Sequence, residues 1–235
     1  MEWPIERKFT GTSTFTLQFG RWRLKFRAAV RTLEFVPALE VPNMPRDGLL
    51  TRSQIVAAAD ELFYSQPLHA VSVDAIAEKA GVTKKTFYYH FKSKDDLIGC
   101  YLEARDRPTV DRFKEWAGSE GSVADQMTRF FLKLARSSQG PRWNGCGFMR
   151  ATAELANMRG HPALTAARTH KARCEQWLLD MVTEEGHSDA KTIARALMVL
   201  IDGAVSQVVI HRDAKYAASA GFAARSLLSK GQRAS

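Results

Sequence analysis

Ser72–Phe91 reads SVDAIAEKAGVTKKTFYYHF, and the rest of the chain can be placed outward from it. Val73, Ile76, Ala77 and Ala80 recur at helical spacing. Gly81 then supplies a left-handed backbone angle without steric cost, which stops that helix. Thr83 can accept from the free N–H groups of a following helix and reads as its N-cap. Phe87 and Phe91, four apart, give this second, short helix one apolar face. Its other face carries Lys84, Lys85, Thr86, Tyr88 and His90. From Lys79 to Lys94 there are five lysines and no acidic residue. Charge runs are usually solvated helix faces of mixed sign. This one has a single sign and exposed aromatics, and it reads as a helix-turn-helix with a basic outer surface.

The longer run GVTKKTFYYHFKSKDDL, Gly81–Leu97, resembles the DNA-binding core of the TetR family of bacterial one-component regulators. The resemblance lies in the aromatic-aromatic-His-Phe run followed by Lys-Ser-Lys, two acids and Leu. The Thr51–Leu97 signature covers roughly a fifth of the chain. It implies an all-α protein: an N-terminal three-helix helix-turn-helix DNA-binding domain, then a C-terminal helical ligand-binding and dimerisation bundle. On that pattern the DNA-binding domain spans 49–109, with the helix-turn-helix at 72–91, and the effector-binding and dimerisation domain spans 110–235. The expected function is a sequence-specific transcriptional regulator, a repressor by the family's habit. It would bind a near-palindromic operator as a homodimer and be released by a small-molecule effector.

A helix fits the major groove, where base edges carry a unique donor and acceptor code. Lys84, Lys85 and Thr86, in the N-terminal half of the second helix, are placed to meet bases. Lysine reaches guanine O6 or N7, and the Thr86 methyl can touch a thymine methyl. Tyr88, Tyr89, His90, Lys92 and Lys94 suit phosphate contacts, which fix register without reading sequence; for Tyr89 partial burial is an equal alternative. The free N–H groups behind Ser72 offer a further phosphate site.

The formal net charge of +9 over 235 residues suits a polyanion partner, and 45% hydrophobic content is enough for a core. No run of about eighteen apolar residues predicts a membrane span, and no signal-peptide pattern opens the chain. Cys100, Cys146 and Cys174 have no C-x-x-C spacing, so free thiols in the cytoplasm are expected rather than disulfides or zinc. A thiol sensor at one of them is the competing reading. His161, His170 and His211 lack metal-ligand spacing, and no metal or other cofactor is expected.

Residues 1–45 carry seven basic and four acidic residues and read as a poorly structured extension. Phe15, Leu17, Phe19 and Trp22, Leu24, Phe26 alternate with polar residues around Gly20-Arg21. A two-residue hairpin there would pair Phe19 with Trp22, Leu17 with Leu24 and Phe15 with Phe26. From Trp22 the same residues also fit a helix through Phe26, Val30 and Leu33. Two readings stand for the whole segment: a basic arm adding phosphate contacts, or residues preceding a natural start at Met44, the latter favoured.

Further along, Thr51-Arg52-Ser53-Gln54 predicts a capping box opening the first helix, and Ser93-Lys94-Asp95-Asp96 another opening the fourth. That fourth helix is expected to stop at Pro108 or resume beyond it, reaching Trp116. Helices follow over Val123–Ala135, Gly147–Met158, Ala163–Glu185, Asp189–His211 and Ala214–Ser229. In the last two, Leu197, Leu200, Ile201, Ala204, Val205 and Val208 face Ala217, Ala220, Gly221 and Ala224. The family pattern makes this the dimer interface; the competing reading is monomer core. Phe130, Trp143, Phe148, Met149 and Trp177 are candidate walls of a cavity for a small, partly apolar effector. G-x-S-x-G, H-E-x-x-H, Walker A and G-x-G-x-x-G are all absent, so no catalytic residue is assigned. Residues 46–98 balance seven bases with seven acids, which focuses the positive charge and disfavours a non-specific DNA-coating protein.

Overall fold

The computed structural model describes residues 14–19, 22–27 and 46–231. Residues 1–44 form a separate unit, in which β1 (Thr14–Phe19) and β2 (Trp22–Arg27) pair antiparallel. The register is Phe15 with Phe26, Leu17 with Leu24 and Phe19 with Trp22, as the alternation predicts. The turn residues, the helix alternative beyond Arg27 and the start-site reading at Met44 lie outside the described residues.

Among the described residues the second unit holds helices and no strand. Its elements are α1 (Arg46–Ser65), a 3-10 turn at Leu68–Ala70, α2 (Val73–Lys79), α3 (Lys84–His90) and α4 (Lys94–Ala117). Then follow α5 (Val123–Ser138), α6 (Gly147–Leu155), α7 (Pro162–Glu184), α8 (Ala190–His211) and α9 (Lys215–Gly231). Three short side chains start helices where the sequence places them. Ser72 Oγ accepts from Ala75 N at 3.0 Å, Thr83 Oγ1 from Thr86 N at 3.0 Å, and Ser93 Oγ from Asp96 N at 3.1 Å. The answering acid at the third cap reaches one residue further back than a capping box does, Asp96 Oδ2 accepting from Lys92 N at 3.0 Å. Gly81 stands at φ +67, the left-handed angle that ends α2.

Helix α5 runs three residues past its expected end and α6 stops three short of Met158, and two further boundaries change more. Helix α1 begins at Arg46, so Thr51 lies inside it and opens nothing. Helix α4 runs unbroken through Pro108. Proline there removes the donor that the Ala104 carbonyl would receive. Both residues are exposed, so water can satisfy that oxygen.

The buried side chains fall into two clusters. One gathers Ile55, Ala59 and Phe63 of α1, Ile76, Phe87 and Phe91, and Leu97–Leu102 of α4, with Phe148 of α6 and Leu164 of α7. The other joins Val110 and Ala117 of α4 to α5, α7, α8 and α9. Helix α4 therefore belongs to both. Between its two apolar patches lies a buried polar knot, Asp106. Its Oδ1 accepts from His170 Nδ1 at 2.8 Å and its Oδ2 from Arg173 Nε at 2.7 Å, and the His170 ring stacks on Phe148 at 3.7 Å.

Helix α8 is, among the described residues, the one long and apolar enough to cross a bilayer, with mean hydropathy 1.8. One of its faces packs into the second cluster against α7 and α9.

Candidate nucleic-acid interface

Helix α3 is held from beneath and open above. Phe87 and Phe91 are fully buried, 5.7 Å apart, and anchor it on α1 and α4. Arg52 of α1 lies 4.8 Å from the Phe91 ring centre and donates to Cys100 Sγ at 3.0 Å. What remains outward is Lys84, Lys85, Tyr88 at 51% and Tyr89 at 71% exposure, with Thr86 and His90 half-buried. Tyr89 is thus an open surface residue, which decides against its partial burial. Lys85 and Lys92 are exposed and their ammonium groups meet no partner among the described residues.

Three residues of the expected set have commitments that the sequence did not show. Lys84 Nζ pairs with Asp74 Oδ2 of α2 at 3.1 Å, so the face does carry an acid, supplied by the neighbouring helix. Both partners are exposed, and such a pair contributes little and exchanges readily for a phosphate. Thr86 Oγ1 bonds Thr83 Oγ1 at 2.9 Å, which leaves chiefly its methyl for a base. Lys94 turns inward: its Nζ donates to the Leu68 carbonyl at 3.0 Å and the Val71 carbonyl at 3.1 Å. It braces the turn before α2 and is not a free phosphate donor. His90 has its pKa lowered, by burial first and Arg52 second, so it offers a neutral hydrogen bond rather than a charge. Ser72 is exposed but spends its hydroxyl as the α2 cap.

Sequence reasoning missed how this module is moored. Glu154 of α6 accepts from Leu68 N at 2.9 Å and His69 N at 2.7 Å. Arg150 donates to the Tyr64 carbonyl at 2.8 Å, and the Asn144 amide N–H to Tyr64 Oη at 3.1 Å. Arg105 of α4 pairs with Asp60 of α1 at 2.6 Å. Each partner lies far off in the chain, and no local pattern announces such a pair.

The candidate effector walls divide. Phe130 and Trp177 are buried in the second cluster with ring centres 6.2 Å apart, and Trp143 and Met149 lean half-buried against it. Phe148 does not join them; it is buried in the first cluster, under the DNA-binding module. The proposed interface stripe on the last two helices is also corrected. Leu197, Ile201, Ala204, Val205, Val208, Ala217 and Ala224 are buried within the single chain. Gly221 is small for an internal reason, since a Cβ there would stand 2.9 Å from Phe131 Cβ. The outward face is a different one: Val199 at 70%, Ile210 at 65% and Phe222 at 76% exposure.

Residues 55–99 match the family model described as bacterial regulatory proteins, tetR family. The HTH-type transcriptional regulator TtgR of Pseudomonas putida is 26% identical over 180 residues, covering 69% of this chain and 82% of that one. The HTH-type transcriptional activator FasR of Mycolicibacterium smegmatis is 44% identical over 61 residues, 26% of this chain and 27% of its own. Among solved structures, the TetR-family regulator SCO4454 of Streptomyces coelicolor superposes with a TM-score of 0.69 at 26% identity, covering 78% of this chain and 96% of that one. The relatives are regulators and not enzymes. The chain belongs to the TetR family of bacterial regulatory proteins and is a DNA-binding transcriptional regulator.

Proposed function

We propose that this chain is a ligand-responsive repressor acting in the cytoplasm, bound as a homodimer to a near-palindromic operator and released by a small, partly apolar effector. The observation that carries it is the outer face of α3, where Lys85, Tyr88 and Tyr89 stand exposed beside a readily broken Lys84–Asp74 pair. Lys84, Lys85 and the Thr86 methyl are assigned to base edges; Tyr88, Tyr89, His90 and Lys92 are assigned to phosphates. Thr83 and Ser72 shape the two helix starts, with N–H groups behind Ser72 open to a phosphate. Division of the chain near residue 109 is supported by the gap between the two apolar patches of α4.

One such unit reads few base pairs, so specificity calls for a two-fold dimer. The exposed Val199, Ile210 and Phe222, on helices whose other faces are already buried, support dimerisation through the outer side of α8 and α9. A thiol trigger at Cys100 or Cys174 is disfavoured. Burial pushes the Cys100 thiol up despite Arg52, and pushes Cys174 up to about 12, so both are held as unreactive thiols.

The test is fluorescence anisotropy on the native upstream intergenic DNA against a scrambled duplex, each at two salt concentrations. Tight binding to the native DNA alone, weakened in Lys85→Ala, supports specific readout. Equal binding to both duplexes, and to fragments recovered from a genome-wide selection, would sink it. A reporter behind the recovered site reads the sign of regulation, and a rise in signal on adding protein would overturn repression.

A further inference from the structure

We propose that the surface formed by the end of α1, the middle of α4 and the segment before α6 binds an aromatic anion, a flat molecule carrying a carboxylate, sulfonate or phosphate. This rests on the effector reading above and narrows it to a charge class. Three guanidinium groups converge on Tyr64. Arg105 lies 5.0 Å from its ring centre, Arg150 donates to its carbonyl at 2.8 Å, and Arg112 is close enough to act electrostatically on Tyr64 and on Arg105. Among the described residues one carboxylate, Asp60, forms an ion pair with this group, and it is taken by Arg105 at 2.6 Å; Glu115 acts on Arg112 only from a distance.

Arg150 spends its charge on main-chain oxygens at the end of α1, the negative pole of that helix. Arg112 has no such outlet. Among the described residues it makes no hydrogen bond and no ion pair, even with its neighbour Glu115. It is open to solvent on one side, yet enclosure of its charged end, then repulsion by Arg105, pushes its pKa down. Two guanidinium groups that repel each other, with a single ion pair shared among them, are what an added anion would relieve.

The apolar half of the ligand has a wall to lie on. Arg112 sits 5.7 Å from the Trp116 ring centre, and Trp116, Trp143 and Met149 are each half-buried against the second core, leaving edges uncovered. Release of DNA would follow from position. An anion drawing Arg105 away from Asp60 loosens the bridge that ties α4 to α1, and α1 braces the recognition helix through Arg52 on Phe91.

The test uses two fluorescent probes on the full chain: anilinonaphthalene sulfonate and its uncharged counterpart phenylnaphthylamine. In Arg112→Gln the sulfonate is expected to bind about tenfold weaker or worse, with the uncharged probe unchanged. Arg107→Gln, which removes the same charge from an exposed neighbouring position, should change neither. Arg112→Lys, keeping the charge without the fork, should fall between, and it serves if Arg112→Gln melts early. Sulfonate binding that is absent, or indifferent to Arg112, overturns the anion site. If the uncharged probe then still releases DNA, the effector reading survives on its own. Sulfonate held by Arg112 without any release of DNA would instead keep the site and remove the effector reading.

Discussion

Replacing Lys94 with alanine separates a brace from a phosphate contact. The family resemblance makes Lys94 one of a row of DNA-facing lysines, but its ammonium donates to the carbonyls of Leu68 and Val71 at 3.0 and 3.1 Å. Those oxygens belong to the turn that positions Ser72 and α2, and Glu154 grips the same turn by its N–H groups. A hydrogen bond from a charged donor contributes about 1.5–3 kcal/mol when buried. Here the Lys94 side chain is half-buried, so about 2 kcal/mol for the pair is the appropriate scale. In a helical unit of this size each kcal/mol moves the Tm by about 2–4 °C, which gives a fall of about 4–8 °C. Thermal melting by circular dichroism reads that fall, and anisotropy over a salt series reads the DNA side. Lys94→Ala should leave the slope of log K against log salt as it was. Lys92→Ala should reduce the magnitude of that slope by about 0.9 and leave the melt in place. A Lys94→Ala protein with an unchanged Tm and a slope smaller by about one would refute the brace and return Lys94 to the DNA surface.

Gly221→Ala should lower stability by about 1–3 kcal/mol through overpacking, read as a denaturant midpoint, because its Cβ would meet Phe131 Cβ at 2.9 Å. Phe222→Glu should dissociate the proposed dimer in sedimentation equilibrium without lowering the helical content, since that ring is 76% exposed in the single chain; a dimer that persists would remove the outer face of α8 and α9 as the interface. Burial holds the His170 pKa below its usual 6.5, so the unfolded chain takes up this proton first as pH falls. Stability from His170 is therefore complete above pH 6.5 and declines below it until the folded pKa is reached. Urea midpoints between pH 7.5 and 5 should fall less steeply in His170→Gln.

The DNA-binding module was readable because its signals are local. Ser72, Thr83 and Ser93 each cap a helix three residues ahead of the N–H they accept, and Gly81 takes the left-handed angle its position demands. The same kind of signal misled at Thr51, because a cap matters only where a helix begins, and α1 is already running from Arg46. Lys94 shows the opposite limit. Lys92, two residues earlier, is exposed with its ammonium unpartnered among the described residues, yet the carbonyls that Lys94 finds lie 26 and 23 residues back. Arg112 is harder still, since what marks it is an ion pair that it does not make among the described residues.

The two faces of α8 carry the same lesson furthest. Its period places Leu197, Ile201, Ala204 and Val208 on one side, and Val199 and Ile210 on another, all apolar. Periodicity finds a core by contrast with a polar side, and here there is little contrast to use. Packing against α7 and α9 settles which face belongs to the chain itself, and it is the one that sequence reasoning had given to the partner. A helix apolar nearly all round has to be covered nearly all round. Once its inner face is accounted for, Val199 and Ile210, with Phe222 of α9, are left open, and this is the surface that the proposed homodimer would cover with two-fold symmetry.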